Sequence, residues 1–327
     1  MKRALAATLL FALGACATEV PAASDLPDAI VISYKAIPLS NTDRKEMRVG
    51  ALVYRGGIEI SSPDARFGGW SGLVISPRGN FLVSQSDEAH WLRAHLIYDS
   101  KGDLTGIDRA QLTDMVDLSG VPMVKKEGDA EGLAFTSDGF AVSFERNSRI
   151  WLYPSLDAKP VDVPVPDAIK ANVSNNGLEG LTEFAPHELL AVTETAQDEN
   201  GDHPAWLVPT PSGKSEQLRI KHHEPYEISD AAMRPDGNLY LLERHYFGPI
   251  RGVVAAVREI DRADIKPGAR LDGHEIAEFT MRENIDNMEG LSIRRDADGH
   301  TLLYMISDDN YNHTIQRTVL MMFEVAQ

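Results

Sequence analysis

Glu131, Glu179 and Glu289 each stand immediately before a Gly-Leu pair, Ser71 precedes the same pair, and Asp230 precedes Ala231-Ala232 in a fifth related segment. Each segment ends downstream on a further acidic residue, respectively Glu145, Glu194, Asp308, Asp87 and Glu243. Repeated carboxylates of this kind suit a hard cation such as Ca²⁺, which takes six to eight oxygen ligands. Crowded together they also raise one another's pKa unless a cation or guanidinium intervenes. The candidate metal ligands are Glu131, Glu179, Asp230, Glu289 and Asp308. Arg146, Arg244 and Arg317 are the candidates for stabilising negative charge that develops in a reaction, with Asp87 beside them among the catalytic candidates. A competing reading applies to every member of the set: an acidic residue before Gly-Leu can hold backbone N–H groups of a neighbouring element, repeating because the element repeats.

Other catalytic templates fit poorly. Asp308-Asp309-Asn310-Tyr311-Asn312 starts like a calcium loop but carries His313 at the sixth position and Val319 at the twelfth, so it is no EF-hand. Asp198 to Asp202 reads as a solvated turn. Gly69-Trp70-Ser71-Gly72-Leu73 lacks the second Gly and the helix of a nucleophile elbow. His222-His223-Glu224 lacks the i, i+4 pair of a zinc protease, and the other histidines are scattered along the chain, which argues against zinc. No phosphate-binding or dinucleotide glycine loop occurs.

The elements that must position the carboxylates follow from the repeat. Its copies start 48 to 60 residues apart, the spacing of a four-stranded propeller blade with its loops. Within the copies, two short apolar runs flank Pro77-Arg78-Gly79-Asn80, Ser137-Asp138-Gly139, Pro235-Asp236-Gly237-Asn238 or Asp298-Gly299-His300, the turn chemistry of tight hairpins. Runs such as Leu73-Val74-Ile75 and Leu239 to Leu242 are apolar throughout, as expected of strands covered on both faces. The fold predicted is all-β, a β-propeller of five four-stranded blades. A sixth blade is left open, in residues Ile30 to Ile60 or one of the longer intervals. Val319 to Val325 reads as the third strand of the last unit, so Leu52 to Ile60 is the expected donor of the strand that closes the ring. In such blades the start of the inner strand and the end of its partner meet on one face, which places the carboxylates around the axial mouth.

The chain has 327 residues, 43% hydrophobic, with 49 acidic against 32 basic residues and a net charge of −17. That composition excludes a disordered chain and general attraction to nucleic acid. The single cysteine, Cys16, excludes an internal disulfide. Lys2 and Arg3 followed by the apolar residues Ala4 to Leu13 read as a signal segment too short to span a bilayer. Leu13-Gly14-Ala15-Cys16 has the form of a lipoprotein cleavage site, making Cys16 the lipid attachment point. The expected organisation is a signal peptide at 1–15, a tether at 16–28 and the propeller at 29–327. Ala17, where an Asp would signal inner-membrane retention, points to the outer membrane facing the periplasm.

Taken in order, Phe67 to Leu73, Asp129 to Leu133 with Ser143 to Arg146, Asn175 to Leu181 with Thr193-Glu194, Ile228 to Asp230 with Leu242 to Arg244, and Asp286 to Leu291 with Ser307 to Asn312 and Gln316 to Thr318 resemble the bacterial "esterase-like activity of phytase" family. The resemblance runs from about Arg48 to the C-terminus. It implies an exported propeller, often a lipoprotein, related in name to calcium-dependent phytases. The leading expectation is a monomeric Ca²⁺-dependent hydrolase of small phosphoesters, anchored to a lipid bilayer through Cys16. A non-catalytic binding module of the cell envelope and a lactonase-like ester hydrolase with one axial metal are the alternatives.

Overall fold

The computed structural model describes residues 27–124, 127–170, 177–195, 197–234, 237–248 and 252–326. Cys16, the signal segment, most of the tether, Asn175-Asn176 and Pro235-Asp236 lie outside the described residues.

Five antiparallel sheets form a five-bladed propeller. Each blade begins with an inner strand and adds strands outward. Blade 1 is Trp70–Ile75, Phe81–Ser86, His90–Tyr98 and Leu104–Asp114; blade 2 is Ala130–Thr136, Gly139–Phe144, Arg149–Tyr153 and Val161–Val163. Blade 3 is Leu178–Ala185, Glu188–Thr193, His203–Pro209 and Glu216–Ile220, with Arg270–Leu271 added in parallel at its outer edge. Blade 4 is Glu227–Met233, Leu239–Tyr246, Val253–Ile260 and His274–Phe279. In blade 5, Asn287–Arg295, Thr301–Asp308 and Thr318–Val325 are followed by two strands from the other end of the chain, Leu52–Ser61 and Ser33–Ala36. Residues 30–60 form no sixth blade and instead complete the fifth. The expected closure holds, with Thr318 opposite Ile60 and Val325 opposite Leu52.

Why the strands are apolar on both faces is plain from their packing. Five apolar clusters occupy the five gaps between neighbouring blades. Between blades 1 and 2, for example, Trp91, Leu133, Val142 and Phe144 pack together. Each such side chain, fully buried, contributes about 1.5–3 kcal/mol. The hairpins use glycine as expected, with φ of 76° at Gly79 and 89° at Gly299.

The Gly of the repeated motif has a separate cause. Inner strands of adjacent blades contact one another around the axis. A Cβ on Gly132 would sit 2.5 Å from the Glu179 carbonyl oxygen of blade 3. The residue after it faces the axis: Leu73, Leu133, Leu181, Ala231 and Leu291 line a cavity of about 230 Å³ in the central channel. The channel is thus apolar directly below the residues that precede each Gly.

Candidate functional site

The mouth is built on a β-bulge repeated in every blade. Pairing of the inner strand with its partner shifts between Trp70 and Gly72, Ala130 and Leu133, Leu178 and Gly180, Ile228 and Asp230, and Met288 and Gly290. A bulge releases a residue from the ladder and re-aims its side chain. Here the released residues are Ser71, Glu131, Glu179, Ser229 and Glu289, with Gly132 sharing the wider irregularity of blade 2.

Blade 4 departs from the sequence expectation by one residue in both strands. Ser229 occupies the place of the glutamates, and its hydroxyl lies 3.2 Å from the Met288 carbonyl oxygen, to which it donates. Asp230 occupies the place of the glycines. It is fully buried, and its carboxylate accepts the N–H of Ala231 (2.7 Å) and that of Leu291 in blade 5 (2.6 Å). Burial raises its pKa well above the usual range, against the lowering effect of these backbone bonds and one from Leu181. Asp230 therefore joins blades 3, 4 and 5, the backbone-holding role that competed with metal ligation, and does not face the mouth.

The same offset corrects the outer set. Ile228 pairs with Glu243, whereas the corresponding partners are Ser86 opposite Trp70, Phe144 opposite Ala130, Thr193 opposite Leu178 and Ser307 opposite Met288. Glu243 instead forms a buried ion pair with Arg258 at 2.5 Å. Arg244, one residue on, is the counterpart of Asp87, Glu145, Glu194 and Asp308. One blade of the five thus places a guanidinium where the others place carboxylates.

Arg244 spans the mouth. It lies 3.0 Å from Glu289 and 3.3 Å from Glu194, and donates to the Asn287 side-chain oxygen at 3.2 Å. Burial by itself would lower its pKa, but Glu289, Glu194, Glu179 and Asp308 together raise it. The Asn287 amide donates to Glu289 at 2.7 Å. Desolvation drives the carboxylates the other way. Glu289 is pushed up to about 7 by burial, with Arg244 opposing and Glu194 adding. Asp308 is pushed up to about 8 by burial and then Glu289, although its carboxylate accepts the Asn310 N–H. Burial also raises Glu131 and Glu179 well above the usual range; Glu289 and Asp129 reinforce it at Glu131, and Glu131 and Glu194 at Glu179. These mutual influences place Glu131, Glu179, Glu289, Asp308 and Asp87 in one electrostatic unit.

At the blade 2 side, Asp129, Glu131 and Glu145 converge, with ligand atoms within 4.8 Å of one another. Arg146, exposed at the rim, pairs with Asp129 at 2.7 Å. Burial raises Glu145, as do Asp129 and Glu194, with Arg146 opposing. Asp129 is a candidate that the repeat did not single out, because only blade 2 has an Asp before its small residue and Glu.

Arg317 is not brought to the mouth. Its guanidinium lies 3.4 Å from Asp286 and 3.3 Å from Glu59 on the closing strand, and donates to the Ile285 carbonyl. In the neighbouring loop, Asp309 accepts the N–H of Gly69 and Tyr311 and the Thr318 hydroxyl, fixing the turn. Asp198 likewise accepts the N–H of Asn200 and Asp202, as a solvated turn would.

The acidic and histidine clusters could hold a metal ion. Carboxylate oxygens at the mouth match the donors of a hard cation, and burial, reinforced by neighbouring carboxylates, raises their pKa values against the opposing pull of Arg244. A family model described as "Phytase-like: Esterase-like activity of phytase" matches residues 65–311. A search of curated proteins finds no match. Among solved structures, the chain is similar to the PQQ-bound form of aldose sugar dehydrogenase from Streptomyces coelicolor, with 15% identity, TM-score 0.39, and coverage of 90% of this chain and 98% of that one. It is also similar to the β-propeller domain of Cps50 (Swd1) from Myceliophteria thermophila, with 11% identity, TM-score 0.38, and coverage of 90% and 100%.

Proposed function

Since the chain belongs to the phytase-like family named for an esterase-like activity of phytase, we propose that its axial mouth is the active site of a phosphoester hydrolase that works with a divalent cation of the Ca²⁺ class. The observation that carries this reading is the clustering of Glu131, Glu179, Glu289 and Asp308 from three blades, all driven towards protonation by burial and by neighbouring carboxylates. Those four side chains, with Asp87, would gather around the ion; the mouth oxygens already within 4.8 Å of one another are those of Asp129, Glu131 and Glu145. Once bound, Ca²⁺ supplies charge stabilisation at a phosphoryl oxygen and a bound water of lowered pKa.

The chain's own groups have separable tasks. Arg244 opposes the burial that drives Glu289 towards protonation and orients it through its 3.0 Å contact, assisted by the Asn287 amide. Arg146 stands exposed at the rim, where an incoming anion meets it first. The leucines below the mouth place an apolar layer beneath the carboxylates. A carboxylic ester or lactone is the second substrate class, favoured by Glu289 and Asp308 titrating near neutrality, as general acid–base groups require. The proposal extends to location: an envelope protein, tethered through Cys16 to the outer membrane and facing the periplasm.

Metal content of protein purified without chelator, together with hydrolysis of phosphomonoester and lactone panels with and without Ca²⁺, tests the reading. Glu289→Gln should abolish Ca²⁺-dependent turnover while the protein stays folded. If no divalent ion binds and Glu289→Gln changes nothing, a non-catalytic binding module is the better description.

A further inference from the structure

His203, His222 and Glu227 are scattered in sequence but converge between blades 3 and 4. His203 opens the third strand of blade 3 and pairs with Ile220 at the end of the outer strand, which delivers His222 two residues later. Glu227 opens the inner strand of blade 4. The two imidazoles meet edge to face at 4.9 Å between centroids. Glu227 Oε2 lies 4.0 Å from His203 Nε2, and Oε1 lies 3.9 Å from His222 Nε2.

His203 has no exposed surface, and among the described residues neither its Nε2 nor Glu227 Oε2 makes a hydrogen bond. Buried polar atoms without partners are rare and call for an explanation such as an ion or a water. Arg258 is nearby but is engaged by Glu243 and by the Lys221 and Asp272 carbonyls. We propose that His203, His222 and Glu227 form a binding site for a borderline divalent transition ion of the Zn²⁺ class, with its own ligands beside the carboxylate mouth, since Glu227 is paired in register with Arg244.

The donor set selects the ion: two imidazoles and one carboxylate suit zinc and its neighbours, whereas Ca²⁺ wants an all-oxygen shell. The spacing is close to what is needed. With ligand bonds of about 2.0–2.2 Å, a tetrahedral site separates its donors by roughly 3.3–3.5 Å. The pairs at 3.9 and 4.0 Å therefore need to close by only about half an ångström. The outer partners are in place as well. His222 Nε2 now donates to the Tyr226 carbonyl (2.8 Å), and Nδ1 lies 3.0 Å from the Gln197 amide. Ion binding at Nε2 would shift the proton to Nδ1, and rotation of the Gln197 amide would then present its oxygen to that N–H, the outer bond that orients metal-bound histidines. Three protein ligands leave a fourth position for water or another ligand.

The test is Zn²⁺ titration of the chelator-treated full chain by calorimetry, with Co²⁺ absorption reporting nitrogen ligation. One equivalent should bind, resisting excess Ca²⁺ and unaffected by Glu289→Gln. Glu227→Gln and His222→Ala should each weaken it by roughly tenfold or more, and Gln197→Ala by about tenfold, the usual cost of losing an outer partner. Circular dichroism monitors folding, and the exposed Gln197 variant keeps the test open if His222→Ala does not fold. Absence of saturable Zn²⁺ binding, displacement by Ca²⁺, or unchanged affinity in both Glu227→Gln and Gln197→Ala would overturn the proposal in favour of a buried water.

Discussion

Replacing Arg244 with methionine removes the guanidinium buried among the mouth carboxylates while keeping much of its volume. In the native protein Arg244 lies 3.0 Å from Glu289 and 3.3 Å from Glu194, and it lowers the pKa of Glu179 as well. Deleting one partner of such a buried set costs about 3–5 kcal/mol, because the remaining charge is left uncompensated. The cost depends on pH, with a definite sign. Glu289 and Asp308 already titrate near 7 and 8 in the folded protein, above their ordinary values of 4.5 and 3.8. The folded state thus binds more protons than the unfolded state through this window, and stability falls as pH rises through the folded values. Loss of Arg244 raises Glu289, Glu194 and Glu179 further and steepens that fall. At pH 5 Glu289 and Asp308 are largely protonated in the folded protein, and the variant should lie within about 1 kcal/mol of wild type, the ordinary size of a point substitution. At pH 8 the full penalty should appear, roughly 6–10 °C in Tm at about 2 °C per kcal/mol for a domain of this size. Thermal melts of both proteins with chelator at the two pH values measure the difference. An equal drop at pH 5 and pH 8, or none at either, would refute the account of the mouth as a charge cluster balanced by Arg244.

Asp230→Asn should cost about 1–3 kcal/mol in denaturant unfolding, since it weakens the acceptor for the Leu291 and Ala231 N–H groups. It should leave divalent-ion affinity at the mouth unchanged, as calorimetry with Ca²⁺ would report. A chain lacking residues 1–61 loses the strand that covers Thr318–Val325; light scattering should show association through the uncovered edge, where the full chain stays dispersed. Cys16→Ser should move the protein from the membrane to the soluble fraction, and continued sedimentation with membranes would count against the lipid anchor.

The blades were legible because their strongest signals are local. Hairpin glycines and double-faced apolar strands depend on neighbours a few residues away, and the Gly of the motif recurs because every inner strand meets its neighbour at the same crowded radius. The donor of the closing strand was legible too, since a last blade short of a strand needs one from elsewhere. The residues released by the bulges were legible in blades 2, 3 and 5, whereas in blade 4 the sequence pointed one residue too far. Ser229-Asp230 and Glu243-Arg244 offer an acidic residue one place from where the bulge presents its side chain, and a bulge destroys the simple counting that relates sequence to face. Arg317 looked equivalent to the other arginines, but its partner Glu59 belongs to the closing strand, 258 positions away. His203 and His222 looked scattered because only the pairing of His203 with Ile220 brings them together.

Ring closure by Leu52–Ser61 against Thr318–Val325 also sets an order of events for the chain. One of the earliest strands to be synthesised cannot find its partner until nearly the whole protein exists, so the last contact to form is among the most distant in sequence and carries a large loop-closure cost. Blades 1 to 4 can pair their own strands locally, but the seam between blades 5 and 1 stays open until the final segment arrives. Locking is therefore a single late step. A chain that locks late stays unlatched until its C-terminal strand has been made, and that strand then acts as the fastener of the ring.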